Sequence, residues 1–105
     1  MRLTHPTALV LLALERGHRH GFDVIDATGL KAGTVYPILR RLEDAEMVRS
    51  SWEAVTRARA AGRPPRRNYR LTSEGQAAVD EAVSRYPGLG AVLDARQSGA
   101  LPVTP

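Results

Sequence analysis

The segment from residue 30 to residue 72 constrains the fold of this chain more than any other part of it. In its first third, apolar residues recur at the i, i+3, i+4 and i+7 spacing of one helical face, at Val35, Ile38, Leu39 and Leu42. The opposite side carries the basic pair Arg40 and Arg41, which is followed by an acidic stretch at residues 43–46. The spacing predicts an amphipathic helix of which only the N-terminal half, residues 31–40, suits contact with a polyanion.

Apolar and polar residues alternate after this helix, which predicts a strand that begins at Val48 and places Trp52 on its inward face. A second strand is expected at residues 67–71, where Tyr69 would share the inward face with Trp52. The intervening residues, 54–67, contain one glycine and two prolines, which cannot continue a ladder of paired strands. We therefore expect a hairpin with a long, mobile and basic tip.

Two shorter helices are predicted before this segment. The first starts at about Thr4, has Pro6 in its first turn and ends near Gly17. The second covers residues 21–28, and Gly29 is expected to cap its C-terminus. The residues expected to be buried by these two helices include Leu9, Leu12, Phe22 and either Val24 or Ile25.

A further helix is predicted after the second strand. Ser73 and Gln76 have the spacing of a capping box at its start. An apolar stripe then follows one helical face, at Val79, Ala82, Val83 and Tyr86. Pro87 and Gly88 end this helix, residues 89–93 add a short helical turn, and the chain from Gln97 onward is too poor in core residues to order itself.

The order of three helices, strand, basic hairpin, strand and helix is the layout of a winged helix-turn-helix. The predicted fold class is therefore mainly α with a two-stranded β-wing. Residues 1–86 are expected to form one DNA-binding domain that ends in a packing or dimerisation helix. Residues 87–105 are expected to form a short helical turn and a flexible tail, and a chain of 105 residues suits one such domain.

The positive charge of the chain is concentrated in the predicted hairpin. Residues 49–70 contain seven arginines and one acidic residue, Glu53, although the net charge of the whole chain is only +4. The rest of the chain is therefore slightly acidic. A positive field confined to one hairpin indicates an anionic partner that binds in a defined orientation, rather than non-specific electrostatic binding.

Other classes of protein are disfavoured by what the sequence lacks. It contains no cysteine, and its apolar run at residues 8–14 is too short to span a bilayer and precedes no cleavage pattern, so we expect a cytoplasmic protein. His18 and His20 fall short of a closed metal site. No nucleophile is paired with a base, no glycine-rich phosphate loop is present, and the carboxylates are expected to face solvent, so we expect no enzyme, no catalytic residue, no metal and no cofactor.

Three stretches carry a recognisable pattern: HGFDVI at residues 20–25, GLKAGTVYPILRRLEDAEMVRSSWE at residues 29–53 and GRPPRRNYRLTSEG at residues 62–75. Together they resemble the PadR family of winged helix-turn-helix transcriptional regulators, over residues 5 to about 80. The resemblance implies a homodimer that binds a pseudo-palindromic operator in double-stranded DNA, usually as a repressor. It also implies a possible small aromatic or lipophilic effector.

The same resemblance implies roles for individual residues. Those placed near DNA around the third helix are Lys31, Thr34, Tyr36, Pro37, Arg40 and Arg41. Those placed on the DNA backbone by the hairpin are Arg63, Arg66 and Arg67. Because Pro87 shortens the helix through which the family pairs, dimerisation is expected to lean also on the first helix and on the apolar patch at residues 89–93. The residues expected to pair two subunits are Leu9, Leu12, Val79, Ala82, Val83 and Tyr86.

Two positions depart from the family pattern. Lys31 replaces a serine or threonine helix cap, which loses a capping hydrogen bond and gains a cation beside the DNA. Glu46 replaces a glycine that commonly ends the third helix, so either Glu46 takes a left-handed conformation or the helix exit differs.

Our primary hypothesis from the sequence is a dimeric, sequence-specific, DNA-binding transcriptional repressor. One alternative is a winged helix that serves as a protein-interaction module, in which the exposed tyrosine and arginines meet an acidic partner. Another alternative is a nucleic-acid binder without sequence preference that relies on the hairpin alone. Measuring how binding depends on base sequence and on salt concentration distinguishes these three hypotheses.

Overall fold

A computed structural model of the chain describes residues 2–97. These residues form six helices and two strands: α1 (His5–Glu15), α2 (Gly21–Thr28), α3 (Ala32–Asp44), β1 (Val48–Trp52), α4 (Val55–Ala60), β2 (Arg67–Leu71), α5 (Ser73–Arg85) and α6 (Leu89–Gln97). The strands pair antiparallel and, with α4, form the projection that we call the wing, residues 48–71. The predicted fold, mainly α with a two-stranded β-wing, is confirmed.

Helix α1 lies at the centre of the core. Every residue from Thr7 to Leu14 is buried, and α1 packs against α2, α3, α5, α6 and β2. As predicted, Thr4 is its N-cap, and the Thr4 hydroxyl accepts a hydrogen bond from the backbone N–H of Thr7 at 3.3 Å. A helix that is apolar on every side is stable in water only when neighbours surround it, as they do here.

Helices α2 and α3 form the helix-turn-helix. Gly29 ends α2 in the left-handed conformation with φ 75°, as predicted, and Lys31 stands before α3 without a side-chain capping bond. The predicted burial of Phe22 is wrong, because its side chain is 72% exposed while Val24 fills the core. Phe22 is the second residue of α2, and its side chain lies on the solvent side of the helix, opposite the buried Gly21 and Val24.

The two strands have the predicted bounds, and their register pairs Val48 with Leu71 and Trp52 with Arg67. Val48 is buried, but the predicted burial of Trp52 is wrong, because its side chain is 67% exposed. Trp52 lies on the same face as Val48 at the far end of β1, beyond the helices that cover the start of the strand. The guanidinium carbon of Arg67 lies 5.6 Å from the centre of the Trp52 ring, within the range of a cation–π contact.

The tip of the wing contains a helix, which was not predicted from the sequence. Helix α4 begins at Val55, and the side chain of Ala58 is fully buried. The sequence VTRARA combines alanine and arginine, which are both strong helix formers, and the turn-forming Gly62 comes only after it with φ 72°. The glycine and prolines therefore end the helix rather than prevent it.

Helix α5 starts one residue earlier than the predicted capping box implied. Thr72 is the N-cap, and its hydroxyl accepts a hydrogen bond from the backbone N–H of Gly75 at 3.1 Å, so Ser73 is the first helical residue rather than the cap. The buried side of α5 contains Gly75, Ala78, Val79 and Ala82. Val83, predicted to share that side, points outward and is 46% exposed.

The chain does not leave the core after Pro87. Helix α6 spans nine residues, longer than the predicted short turn, and its Leu89 and Leu93 are buried among the core residues. Arg16, the C-cap residue of α1, and Asp94 of α6 form an ion pair at 2.5 Å. The predicted boundary at residue 86 therefore falls within one packed body, and the predicted flexible tail, residues 98–105, lies outside the described residues. None of the helices within residues 2–97 has the length and apolar character needed to cross a membrane.

Candidate nucleic-acid interface

The first three turns of α3 present a polar and aromatic face to solvent. Its opposite side is buried through Val35, Ile38, Leu39 and Leu42, as the spacing predicted. The predicted DNA contacts of this helix lie on the solvent side, where Lys31, Pro37, Arg40 and Arg41 are exposed, Tyr36 is 42% exposed and Thr34 is half-buried. The structure therefore brings these six residues together on one surface, which we call the α3 face.

The carboxylate of Glu43, which follows the α3 face along the helix, is bound by groups of the wing. The Glu43 carboxylate accepts a 2.5 Å hydrogen bond from the hydroxyl of Ser50 on β1. Arg67 of β2 lies 3.4 Å from the same carboxylate oxygen. The side chains of Arg40 and Arg41, by contrast, form no ion pair or hydrogen bond with any residue in the described range. Their charges remain available to an anionic partner.

Pro37 lies inside α3 and leaves its first turns less regular than those of an ordinary helix. Proline has no backbone N–H, so the carbonyl of Gly33 receives no hydrogen bond from the position four residues later. The helix nevertheless begins before Pro37, because the N–H groups of Thr34 and Val35 both donate to the carbonyl of Lys31, at 2.9 and 3.0 Å. The proline is thus part of the helix and does not mark a later start.

Tyr36 fixes the distance between the two helices of the helix-turn-helix. Its ring and hydroxyl lie against the backbone of Gly21, so closely that a Cβ atom at that position would overlap them. Gly21 is the first residue of α2, so Tyr36 closes the corner where α2 meets α3 while its outer edge stays exposed. A side chain at Gly21 would push Tyr36 out of this position.

The turn between α3 and β1 is stabilised by Glu46, which has a left-handed backbone conformation, and by Thr72, the N-cap residue of α5. Glu46 has φ 61°, so the first of the two alternatives predicted for this position is the one adopted. Such a conformation costs a non-glycine residue roughly 1 kcal/mol. The Thr72 hydroxyl donates to the Glu46 carbonyl at 2.6 Å, and the Thr72 N–H donates to the Met47 carbonyl at 3.0 Å. These bonds tie the start of α5 to the exit of α3.

Arg63, predicted to contact the DNA backbone, is bound within the wing. Both of its terminal nitrogens donate to the carboxylate of Glu53, at 2.6 and 2.9 Å, and the backbone N–H of Arg66 adds a third bond at 3.3 Å. The side chain of Glu53 is only 8% exposed. Hydrogen bonding from Arg63 lowers the pKa of Glu53 to about 2, although burial acts in the opposite direction. The pair closes the base of the wing tip and neutralises one of its arginines.

The other two predicted wing contacts differ in their surroundings. Arg67 is held against the outer end of α3 by Glu43 and by a 2.9 Å bond from its Nε to the hydroxyl of Ser50, yet 43% of its side chain stays exposed. The Nε of Arg66 is buried without a hydrogen-bond partner in the described part of the chain. The three arginines therefore do not form one surface, and only Arg67 borders the α3 face.

Four of the six residues predicted to pair two subunits lie in the core of one chain. Leu9, Leu12, Val79 and Ala82 are each at most 4% exposed, so they cannot contact a partner without unpacking the core. Tyr86 is partly buried, donates to the carbonyl of Leu3 at 2.9 Å and touches the ring of His5 edge-on. Val83 alone is well exposed among the six. Sequence periodicity marks an apolar stripe but does not say whether the same chain or another one covers it.

Sequence reasoning missed the roles of Glu43 and Glu53. The expectation of solvent-facing carboxylates is wrong for Glu53, whose side chain is 8% exposed, whereas the side chain of Glu43 is 36% exposed; each accepts hydrogen bonds that position the wing. For Glu53 the available signal was its isolation, since it is the single acidic residue among seven arginines in residues 49–70. A lone opposite charge in such a segment is a strong candidate for an internal ion pair.

Comparison with known proteins agrees with this geometry. The family model described as transcriptional regulator PadR-like family matches residues 10–81. That family consists of transcriptional regulators rather than enzymes. None of the curated proteins matches the chain.

Solved structures share the fold across most of the chain. A PadR family transcription regulator from Clostridium difficile has a TM-score of 0.68 and 22% identity, with 87% of this chain and 96% of that chain covered. A PadR family transcriptional regulator from Eggerthella lenta has a TM-score of 0.59 and 26% identity, with 85% and 84% covered. Bordetella bronchiseptica BpsR, whose DNA binding is regulated by 6-hydroxynicotinic acid, has a TM-score of 0.63 and 24% identity, with 84% and 62% covered.

Proposed function

Because the chain belongs to the PadR-like family of transcriptional regulators, we propose that it represses transcription as a homodimer that binds a specific, pseudo-palindromic DNA site. The α3 face is the observation that carries this proposal. It combines exposed cations, an exposed tyrosine and a half-buried threonine on a helix whose other side is anchored in the core. Such a helix presents side chains at fixed positions to an external partner.

The dimensions of α3 suit the major groove of DNA. A helix of 13 residues is about 20 Å long, and the major groove, about 12 Å wide, admits one helix. Arg40 and Arg41 can donate in bidentate fashion to guanine or phosphate, and Thr34 can bond to either a base edge or a phosphate. Lys31 and Tyr36, which lie nearer the start of the helix, suit the flanking phosphates. Pro37 supplies a rigid apolar contact.

For the wing, we propose contacts that differ from those expected from sequence. Arg67 borders the α3 face and keeps 43% of its side chain exposed, so it is placed to meet the adjacent DNA backbone. Arg59 of α4 is exposed and forms no ion pair with the described residues, so it is a second candidate. Arg63 instead stabilises the wing through its ion pair with Glu53.

Dimerisation is proposed to use the outer sides of the two C-terminal helices. Val83 on α5 is 46% exposed and Val92 on α6 is 39% exposed, whereas their neighbours Val79 and Leu93 are in the core. Exposed apolar residues next to a core helix are common at subunit interfaces. Two subunits that pair in this way would read half-sites roughly 10 base pairs apart, one turn of the duplex.

The test is selection of binding sites from a random duplex pool by the full chain. Enrichment of an inverted repeat supports a dimer that reads sequence. Retention of duplexes without enrichment would reduce the activity to backbone binding, and no retention at all would contradict the proposal.

A further inference from the structure

A cleft of about 680 Å³ lies beside the wing and is distinct from the α3 face. Four parts of the chain line it: the outer face of the strands, the loop between α1 and α2, α4, and the segments that join α4 to the two strands. On β1, Val48 is buried and Ser50 bonds to Glu43 of α3, so this face of the strand is turned toward the helices. Because side chains alternate along a strand, Arg49 and Ser51 point to the other side, into the cleft. The sheet therefore separates the cleft from α3.

The cleft contains far more positive charge than the described chain neutralises. Six arginines line it: Arg19, Arg49, Arg57, Arg63, Arg66 and Arg70. Its one carboxylate, Glu53, is already bound by Arg63 in a bidentate pair. Arg49 and Arg70 stand directly opposite each other in the strand ladder, where like charges destabilise the sheet. Neither side chain has an ion-pair partner among residues 2–97.

Two enclosed polar atoms in the lining lack partners. The Nε of Arg66 and the Nδ1 of His20 are buried and form no hydrogen bond within the described residues. Leaving a buried polar group unpaired destabilises the folded chain, and the loss is larger for a charged group. The opposed arginines favour an anion that accepts several hydrogen bonds, and the two unpaired nitrogens belong to side chains that line the same cleft.

We propose that this cleft binds a small phosphorylated molecule that carries at least two negative charges. A guanidinium group donates two parallel hydrogen bonds to phosphate oxygens, and several guanidinium groups around one cleft match a group with many acceptor oxygens. The volume lies within the range of small-molecule sites, about 300–1,000 Å³. A lining of arginines does not suit a lipophilic ligand. The site does not depend on the proposed function, because its lining residues lie outside the α3 face.

The probe that tests the cleft is inorganic pyrophosphate, and the chain contains its own reporter. Trp52 is the only tryptophan, it is exposed, and it borders the cleft at the far end of β1, although its side chain lies on the α3 side of the strand. We expect a saturable change in its fluorescence when pyrophosphate is added to the full chain at about 0.15 M salt. Replacement of both Arg49→Gln and Arg70→Gln should weaken binding by at least about tenfold. A second variant, Arg57→Gln, changes only the exposed helix α4 and should weaken binding several-fold.

The matched control is the pair Arg40→Gln and Arg41→Gln, which removes the same charge from α3. This control should bind pyrophosphate within about twofold of the unchanged chain, because its substitutions lie outside the cleft. Without pyrophosphate, the Arg49→Gln and Arg70→Gln variant should melt no lower than the unchanged chain, since it relieves a like-charge contact.

Three outcomes would overturn the proposal. The first is the absence of a saturable signal up to about 10 mM pyrophosphate, since weaker binding is not specific. The second is an equal loss of affinity in the cleft variant and in the α3 control, which would reduce the effect to net charge. The third concerns the variant with both Arg49→Gln and Arg70→Gln. The proposal fails if this variant loses as much affinity for random-sequence duplex DNA as it loses for pyrophosphate. In that case the phosphate bound by the cleft would belong to DNA rather than to a small molecule.

Discussion

Arg63 binds Glu53 through both of its terminal guanidinium nitrogens, at 2.6 and 2.9 Å, across the base of the wing tip. Arg63, which was predicted from the sequence to contact DNA, instead stabilises the wing from within. Since Glu53 also accepts a bond from the backbone N–H of Arg66, one carboxylate holds both ends of the segment that contains α4. The orientation of the wing arginines therefore depends on the ionisation of Glu53.

Replacing Glu53→Gln should destabilise the wing at neutral pH and remove a pH dependence. The pKa of Glu53 is lowered to about 2 from 4.5, so its contribution to stability is present above about pH 4.5 and is lost as the pH falls toward 2. The difference in thermal midpoint between the unchanged chain and Glu53→Gln should therefore shrink across that interval. The control is Glu81→Gln, which breaks an exposed pair with Arg85 and should change little at any pH. A constant difference between pH 5 and pH 2 would contradict this account of Glu53.

Replacing Gly75→Ala should destabilise the whole chain. A Cβ atom at position 75 would overlap the carbonyl oxygen of Met47, a backbone atom that also accepts the N–H of Thr72. We expect a loss of about 1–3 kcal/mol or more in the free energy of unfolding, measured by chemical denaturation. Gly33→Ala is the control, because a Cβ there meets nothing within 4 Å and alanine favours the helix. Equal stability of Gly75→Ala and the unchanged chain would show that α5 does not approach the turn between α3 and β1 so closely.

Helix α6 should behave as part of the core. Leu93 is fully buried, so Leu93→Ala should cost about 2–5 kcal/mol. The adjacent Val92 is 39% exposed, and Val92→Ala should cost well under half as much. Chemical denaturation of the two variants measures both values. Similar small losses for both substitutions would mean that α6 is not packed against α1 in solution.

Val83 should contribute to pairing between subunits. Placing a charge there, Val83→Glu, should raise the dissociation constant of the dimer by at least about tenfold, because a charged residue is costly at the core of an interface. Val55→Glu on the wing is the control, since Val55 is also exposed but lies on α4. Sedimentation equilibrium distinguishes the two variants. A dimer that survives Val83→Glu unchanged would place the interface elsewhere.

The elements that could be predicted are those for which the residues of one segment favour a single local structure. The buried stripe of α3 follows from helical periodicity, and the paired strands follow from alternation bounded by turn residues. Gly29 ends α2 because glycine takes a positive φ without strain. In each case the local residues alone favour the observed structure.

The errors arose where a distant part of the chain decides the outcome. Alternation placed Trp52 on the same face as Val48 but could not show that the helices stop covering that face before Trp52. The number of arginines showed a positive wing, but not that Arg63 is bound by Glu53. Likewise, the apolar stripe of α5 predicted burial without showing that α1 of the same chain supplies it. Which side chains form ion pairs and which faces are buried depend on tertiary structure, which the sequence of a single segment does not show.

The most direct test of the central claim is a titration of a selected operator duplex and a scrambled duplex with the Arg40→Gln and Arg41→Gln variant. If the α3 face reads base sequence, each bidentate bond to a base that the variant removes should lower affinity for the operator by at least about tenfold, while affinity for the scrambled duplex falls much less. The ratio of the two affinities should therefore decrease. An unchanged ratio, with both affinities lowered equally, would contradict the assignment of sequence reading to α3.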